Sequence, residues 1–216
     1  MNILKQYETI NQEIKNYSLN NFANLIVVTK GRSLGDIQKI INLGHLHFGE
    51  NRVQESIDKW GQFLKANANI KLHLIGKLQT NKVKDVIKLF SYVHSLDNDK
   101  LALKISVEEN NHKKKLFHFV QVNLGEENQK SGILKQDLSN FINYCKNDLN
   151  LNIIGLMCLP PLNDDPVKYF IELKNLAHNH NLKELSMGMS NDYIPAIKNG
   201  STFIRVGSLI FNHKTN

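Results

Sequence analysis

The run Asn24-Leu25-Ile26-Val27-Val28-Thr29-Lys30 decides the fold. Four consecutive aliphatic residues, three of them β-branched, leave no polar face. A strand with one side in water alternates apolar and polar residues; a strand of a parallel sheet, covered on both sides, reads as this one does. Working outward, seven more runs of strand character follow at 45–49, 71–76, 92–96, 116–124, 153–159, 184–187 and 202–207. Helical periodicity fills the gaps. Leu34, Ile37 and Ile41 share a face, as do Val53, Ile57 and Trp60, and Val83, Val86, Ile87 and Phe90. The clearest set is Leu138, Phe141, Ile142 and Cys145, spaced i, i+3, i+4, i+7.

Eight strand–helix units in 216 residues predict an α/β fold, a (β/α)8 TIM barrel. Tyr7, Ile10, Ile14 and Tyr17 add an N-terminal helix ahead of it, and Gly200 is placed to cap the last long helix. An open doubly wound sheet is the alternative, disfavoured because neither GxGxxG nor GxxxxGK[ST] is present. The four prolines, at 160, 161, 166 and 195, mark no linker and no Gly/Ser-rich stretch interrupts the chain, so residues 1–216 read as one domain.

Hydrophobic residues make up 41% of the chain, enough for a large core. The net charge of +7 raises nucleic-acid binding. However, the lysines are scattered, and the densest run, Lys113-Lys114-Lys115, falls in a loop with no interleaved aromatics. A solvated lysine-rich surface explains the charge, and no nucleic-acid partner is expected. The N-terminal MNILKQYETINQEIKNY is too polar for a signal peptide, and no apolar run reaches the ~18 residues of a membrane span, so no membrane partner is expected either. Cys145 and Cys158 form no CxxC pair and read as buried thiols in a reducing, cytoplasmic compartment. His45 and His47 alternate as metal ligands could, but no third ligand is apparent and no metal is expected. Adjacent carboxylates such as Glu108-Glu109 read as solvated, and Lys77, Lys82 and Lys84 as exposed helix surface.

Barrels of this kind carry their active sites at the C-terminal ends of the strands. The strand ends place Lys30, Gly49-Glu50-Asn51, His73 with Gly76, Ser95, Asn123, Met157, Ser186 to Ser190 and Arg205 to Ser208 there. Lys30 is either a snorkelling lysine or a desolvated amine able to form a Schiff base. Ser190, Gly207 and Ser208 follow the seventh and eighth strands, where barrels often bind phosphate, but serine and glycine also serve as ordinary caps. A Schiff-base lysine and a phosphate cradle in one mouth point to pyridoxal 5′-phosphate. Arg205 is either the ion-pair partner of Glu50 or Asp192, or the partner of the cofactor's ring nitrogen.

The segments VVTKGR around Lys30, FGENRVQE at 48–55, HLIGKLQTNKVK at 73–84, QVNLGEENQKSG at 121–132, GLM at 155–157 and SMGMSNDYIPAIKNGSTFIRVGSLIF at 186–211 are together highly specific. With them the chain resembles, nearly end to end, the YggS/PROSC group of pyridoxal phosphate homeostasis proteins. The resemblance implies a barrel like the N-terminal domain of alanine racemase. It implies that Lys30 forms the internal aldimine, that Asn51 and His73 lie near the cofactor, that Ser190, Gly207 and Ser208 bind its phosphate, and that Arg205 is the arginine of the R-x-G motif. It also implies a role in balancing vitamin B6 pools, with apo forms of pyridoxal phosphate-dependent enzymes as recipients and a monomer or weak dimer as the working form. Leu72 stands where a Trp is common, and Phe211-Asn212-His213-Lys214 where an FGxR ending is common.

The competing function is a pyridoxal phosphate-dependent amino-acid racemase. Alanine racemase uses two bases, its lysine and a tyrosine from a second domain. The barrel and its first helix account for all 216 residues here, so little or no turnover is expected. The barrel tyrosines nearest the strand ends are Tyr92 and Tyr193.

Overall fold

The computed structural model describes residues 2–18, 23–127, 129 and 131–211. Eight parallel strands close on themselves in sequence order. They are β1 (Asn24–Val28), β2 (His47–Glu50), β3 (Lys71–Leu74), β4 (Tyr92–Leu96), β5 (Phe117–Gln121), β6 (Ile153–Met157), β7 (Glu184–Met189) and β8 (Phe203–Val206). The predicted (β/α)8 barrel is therefore the observed one. Nine helices are described: α1 (Ile3–Tyr17), α2 (Leu34–Ile41), α3 (Val53–Ala66), α4 (Val83–Leu89), α5 (Asp99–His112), α6 (Leu138–Asn143), α7 (Pro166–Asn179), α8 (Tyr193–Lys198) and α9 (Ser208–Phe211). Helix α6 runs on into a π-helical turn at Tyr144–Asp148 that carries the buried Cys145.

Local chemistry starts the helices where they start. The Ser33 hydroxyl accepts from Asp36 N, the Asn98 side chain from Leu101 N, and the Asp165 carboxylate from Val167 N, with Pro166 in the first turn. Gly200 ends α8 at φ +94°, the cap expected of it. The strand runs read from the sequence are mostly longer than the ladders. The run at 116–124 ends as a strand at Gln121, because Ile133 from the following loop captures the backbone of Asn123. The run at 45–49 begins only at His47, since His45 turns its ring to the Tyr7 hydroxyl (3.0 Å) and the His47 carbonyl (2.8 Å).

The main core lies between the strands and the helices around them. It includes Leu25 and Val27 of β1, Leu72 and Leu74 of β3, and the fully buried Trp60 against Phe48. Leu72, at the position where a Trp is common, is an outward-facing core residue. A second, smaller cluster fills the barrel itself: Ile26, Phe119, Met157 and Phe203. Helix α1 packs on α2, α8 and α9, covering the seam between β8 and β1, and Glu13 of α1 accepts from the Tyr193 hydroxyl.

Glu108 and Glu109 are buried, contrary to the solvated pair expected. Glu109 accepts from Leu116 N (2.8 Å), bonds to the buried His118 Nε2 (2.8 Å) and pairs with Lys115 (3.3 Å), so its charge is compensated. Among the described residues no helix is long and apolar enough to cross a membrane. Of the unusual C-terminal ending, Asn212, His213 and Lys214 lie outside the described residues.

Candidate functional site at the barrel mouth

Successive strand residues point to opposite faces, so each strand delivers every second side chain to the barrel interior. On β1 this carries Ile26 into the interior cluster and Val28, then Lys30, to the mouth. On β3 it puts His73 in the interior and Ile75 at the mouth, with Leu72 and Leu74 outside. On β8 it aligns Phe203, Arg205 and Gly207.

The mouth holds a cavity of about 610 Å³. Six of the seven site residues read from the sequence line it: Lys30, Asn51, Ser190, Arg205, Gly207 and Ser208. His73 does not. It is fully buried one interior level below, bonded through its two ring nitrogens to His47 and His94, both at 2.9 Å. The discrepancy follows from strand alternation and register. Leu72 and Leu74 face the helices, so His73 turns inward one level below Ile75, which takes the mouth position. Burial, and then the neighbouring imidazoles, hold the His73 ring well below its usual pKa and hence neutral.

Lys30 projects from a tight turn. Arg32 N bonds Thr29 O (3.1 Å), and Gly31 sits at φ +64°, which a side chain would strain. The turn is tied down by α3. Gly31 N donates to Glu55 (2.7 Å), Glu55 pairs with Lys59 (2.8 Å), and Lys59 also donates to the Thr29 carbonyl (2.7 Å) and to Glu50 (2.9 Å). The Lys59 bond is the main reason the Glu55 carboxyl is held below its usual range. Lys30 itself is exposed. The desolvated amine considered for this position is therefore not observed, because the turn lifts the residue above the last ladder bond into the open mouth.

Arg205 is 4% exposed and forms the opposite, deep wall. Its guanidinium donates to Ser186 O (2.9 Å), Ser186 Oγ (2.6 Å) and Cys158 O (3.1 Å). Neither carboxylate considered as its partner takes that place. Glu50 faces outward to Lys59 and to Trp60 Nε1 (2.9 Å), and Asp192 accepts from Met189 N (2.6 Å).

The loops after β7 and β8 meet at the third wall, where Ser208 Oγ donates to Ser190 Oγ (2.8 Å). A Cβ on Gly207 would stand 2.9 Å from Val28 O, so glycine is what lets β8 close against β1 here. Two hydroxyls thus meet at one place on the cavity wall, at the start of α9, a polar group suited to an anion. The sequence reading missed the fourth wall, made by Leu159, Pro160, Pro161 and Leu162 after β6. Its signal was the Pro-Pro pair, which stiffens a loop at a strand end. Ser95, Asn123 and Met157 are not part of the cavity wall. Tyr92 begins β4 at the opposite, floor end, and Tyr193 bonds to α1.

These features define a (β/α)8 barrel whose mouth combines an exposed lysine amine, a buried guanidinium and two serine-bearing loops joined by a hydrogen bond. The chain belongs to the family described as "Alanine racemase, N-terminal domain", matched over residues 8–214, and within it to the pyridoxal phosphate homeostasis proteins. It is 37% identical over 202 residues to the pyridoxal phosphate homeostasis protein of Synechocystis sp., covering 88% of this chain and 91% of that protein. To the protein of the same name from Pasteurella multocida it is 34% identical over 197 residues, covering 87% and 84%. Among solved structures, PipY of Synechococcus elongatus with pyridoxal phosphate bound superposes with a TM-score of 0.87 at 30% identity, covering 97% of this chain and all of that one. Alanine racemase of Clostridium difficile shares the fold alone, with a TM-score of 0.71 at 15% identity over 57% of its length.

Proposed function

We propose that this protein binds pyridoxal 5′-phosphate in the barrel mouth and serves intracellular vitamin B6 homeostasis. One observation carries the reading: Lys30, Arg205 and the bonded Ser190–Ser208 pair line a single cavity. The donor set fits the cofactor's three functional ends. An amine meets the aldehyde, hydroxyls and backbone N–H groups meet the phosphate, and a donor-only guanidinium meets the ring nitrogen. When bound, the cofactor supplies an aldehyde carbon that condenses reversibly with an amine, releasing water. Lys30 holds it covalently, Asn51 and Arg205 orient the ring, and Ser190, Gly207 and Ser208 hold the phosphate. His73 acts from below and does not touch the ligand. Borohydride reduction of the loaded protein, followed by peptide mass analysis, tests the reading: the pyridoxyl group is expected on Lys30, and its recovery only on another lysine overturns the assignment.

Turnover is expected to be slight. Racemisation through two bases needs proton donors on both faces of the ring, and no tyrosine is among the described residues lining the cavity. Residues 1–216 work as one unit, as the packing of α1 across the barrel seam supports. The buried thiols of Cys145 and Cys158, both pushed up to about 12 chiefly by burial, suit the reducing cytoplasm. Apo forms of pyridoxal phosphate-dependent enzymes would be the recipients. The side chain of Leu162, 92% exposed beside the mouth, is a ready contact for them. The +7 charge, through which copies repel one another, favours a monomer or weak dimer.

A further inference from the structure

Three imidazoles and a hydroxyl cross the barrel interior in one continuous hydrogen-bonded chain. It begins near the floor, at the start of β2, with the half-buried His47. His47 Nδ1 meets His73 Nε2 (2.9 Å), His73 Nδ1 meets His94 Nε2 (2.9 Å), and His94 Nδ1 meets Ser186 Oγ (2.8 Å). Ser186 Oγ accepts from Arg205 at 2.6 Å, and Arg205 lines the cavity. Aromatic rings sheath the chain: Tyr92 stacks on His73 (4.1 Å) and Phe119 on His94 (4.3 Å), with Phe203 beside both. His73, His94 and Ser186 are fully buried, so no water is needed to link them.

We infer that His47, His73, His94 and Ser186 are a one-way relay of hydrogen bonds that positions Arg205 against the cofactor ring. The direction follows from donor counting. A guanidinium only donates, so Ser186 Oγ accepts from Arg205. The Ser186 proton then has one acceptor in reach along the chain, His94 Nδ1. His94 must therefore carry its own proton on Nε2 and give it to His73 Nδ1. By the same step His73 is protonated on Nε2 and donates to His47 Nδ1. His47 is left with its Nε2 proton toward the floor, where it is half-buried and water can meet it. Reversed, the chain would give Ser186 Oγ two donors and strand its hydroxyl proton in a dry interior, which costs about 1–3 kcal/mol. Burial favours neutral rings throughout, and Arg205 beside His94 and Lys71 near His47 act in the same sense. His73, which the sequence placed in the site, thus serves it as a positioning residue. So do His94 and Ser186. The inference rests on Arg205 facing the cofactor.

The test begins with protein labelled with ¹⁵N at histidine and free of cofactor, so that it does not depend on the ligand. Ring nitrogen shifts are expected to show neutral Nε2–H forms at His47, His73 and His94 near pH 7. An Nδ1–H form or an imidazolium at His94 overturns the inference. His47→Lys then replaces the terminal acceptor with a pure donor, and His47→Gln keeps an acceptor. In His47→Lys the His94 ring is expected to switch to Nδ1–H, two links away, and pyridoxal phosphate to bind about fivefold more weakly, the loss of one well-made hydrogen bond. His47→Gln is expected to leave both unchanged. An unswitched His94 in a folded His47→Lys protein overturns the relay, as does a switched His94 with unaltered affinity. If the unaltered protein shows the tautomers but takes up no pyridoxal phosphate, the binding reading fails and, with it, the positioning role.

Discussion

Replacing Lys59 with methionine is the sharpest perturbation of the scaffold beneath Lys30. Lys59 is nearly buried and Glu50 wholly so, with 2.9 Å between them. The Glu50 Oε1 atom takes every described bond, from Thr29 Oγ1 (2.6 Å), Lys59 and Trp60 Nε1 (2.9 Å), while Oε2 has no hydrogen-bond partner. Only Lys59 among these carries a compensating charge. Lys59→Met therefore leaves a buried carboxylate with two neutral donors. Breaking a buried pair from one side costs about 3–5 kcal/mol. A domain of this size loses about 2–4 °C per kcal/mol, so the melting temperature should fall by about 6–20 °C. Adding Glu50→Gln removes the stranded charge and keeps an acceptor for Thr29 and Trp60, so the double variant should recover part of the loss. Thermal and urea unfolding of the four proteins measure a coupling expected to be about 2 kcal/mol or more. A Lys59→Met protein within about 1 kcal/mol of the parent, or a double variant no better than the single, refutes the reasoning. Because Lys59 also holds the Thr29 carbonyl, the single variant should retain pyridoxal phosphate less well too.

Ser190→Asp sets a carboxylate against the phosphate and should weaken pyridoxal phosphate about tenfold while barely altering unphosphorylated pyridoxal; equal losses in equilibrium dialysis count against the cradle. Acid should destabilise the fold. Burial lowers His45 from 6.5 to about 4, so the unfolded chain binds a proton that the folded one refuses, and stability falls as pH drops from 6.5 toward 4. Since His45 keeps some solvent contact, its share near pH 4.5 is about 1–2 kcal/mol, and His47, His73 and His94, also lowered, add to it; an urea midpoint unchanged between pH 7 and 4.5 contradicts this. Incubated with L-alanine in deuterated water, the loaded protein should show no stereoinversion dependent on Lys30; inversion abolished by Lys30→Ala promotes the racemase.

What the sequence disclosed and what it withheld divide along strand register. β1 was legible because Leu25, Ile26, Val27 and Val28 admit only one environment, and Lys30 follows as the next inward position but one after Ile26, beyond Val28. The mouth positions of Ser190, Gly207 and Ser208 were legible because these residues directly follow β7 and β8, where small polar residues have few structural duties. His73 was misplaced for a physical reason. A polar residue late in an apolar run reads as a strand end, yet a barrel interior tolerates polar side chains when they satisfy one another, as His73 and His94 do. Alternation could have located it, since Leu72 and Leu74 must face the helices, which puts His73 inside and Ile75 one step nearer the mouth. How high an inward residue stands, however, depends on pairing: Gly49 opposite His73 and Glu50 opposite Leu74 fix the level of β3 against β2. That pairing joins residues some 24 positions apart, and no single run contains it. The same holds for Ser186, which the sequence grouped with Ser190 at the strand end but which the barrel buries against Arg205 of β8, away from the cavity wall. The mouth positions of Lys30, Ser190, Gly207 and Ser208 could be read residue by residue, whereas the interior chain that reaches Arg205 exists only once the barrel has closed.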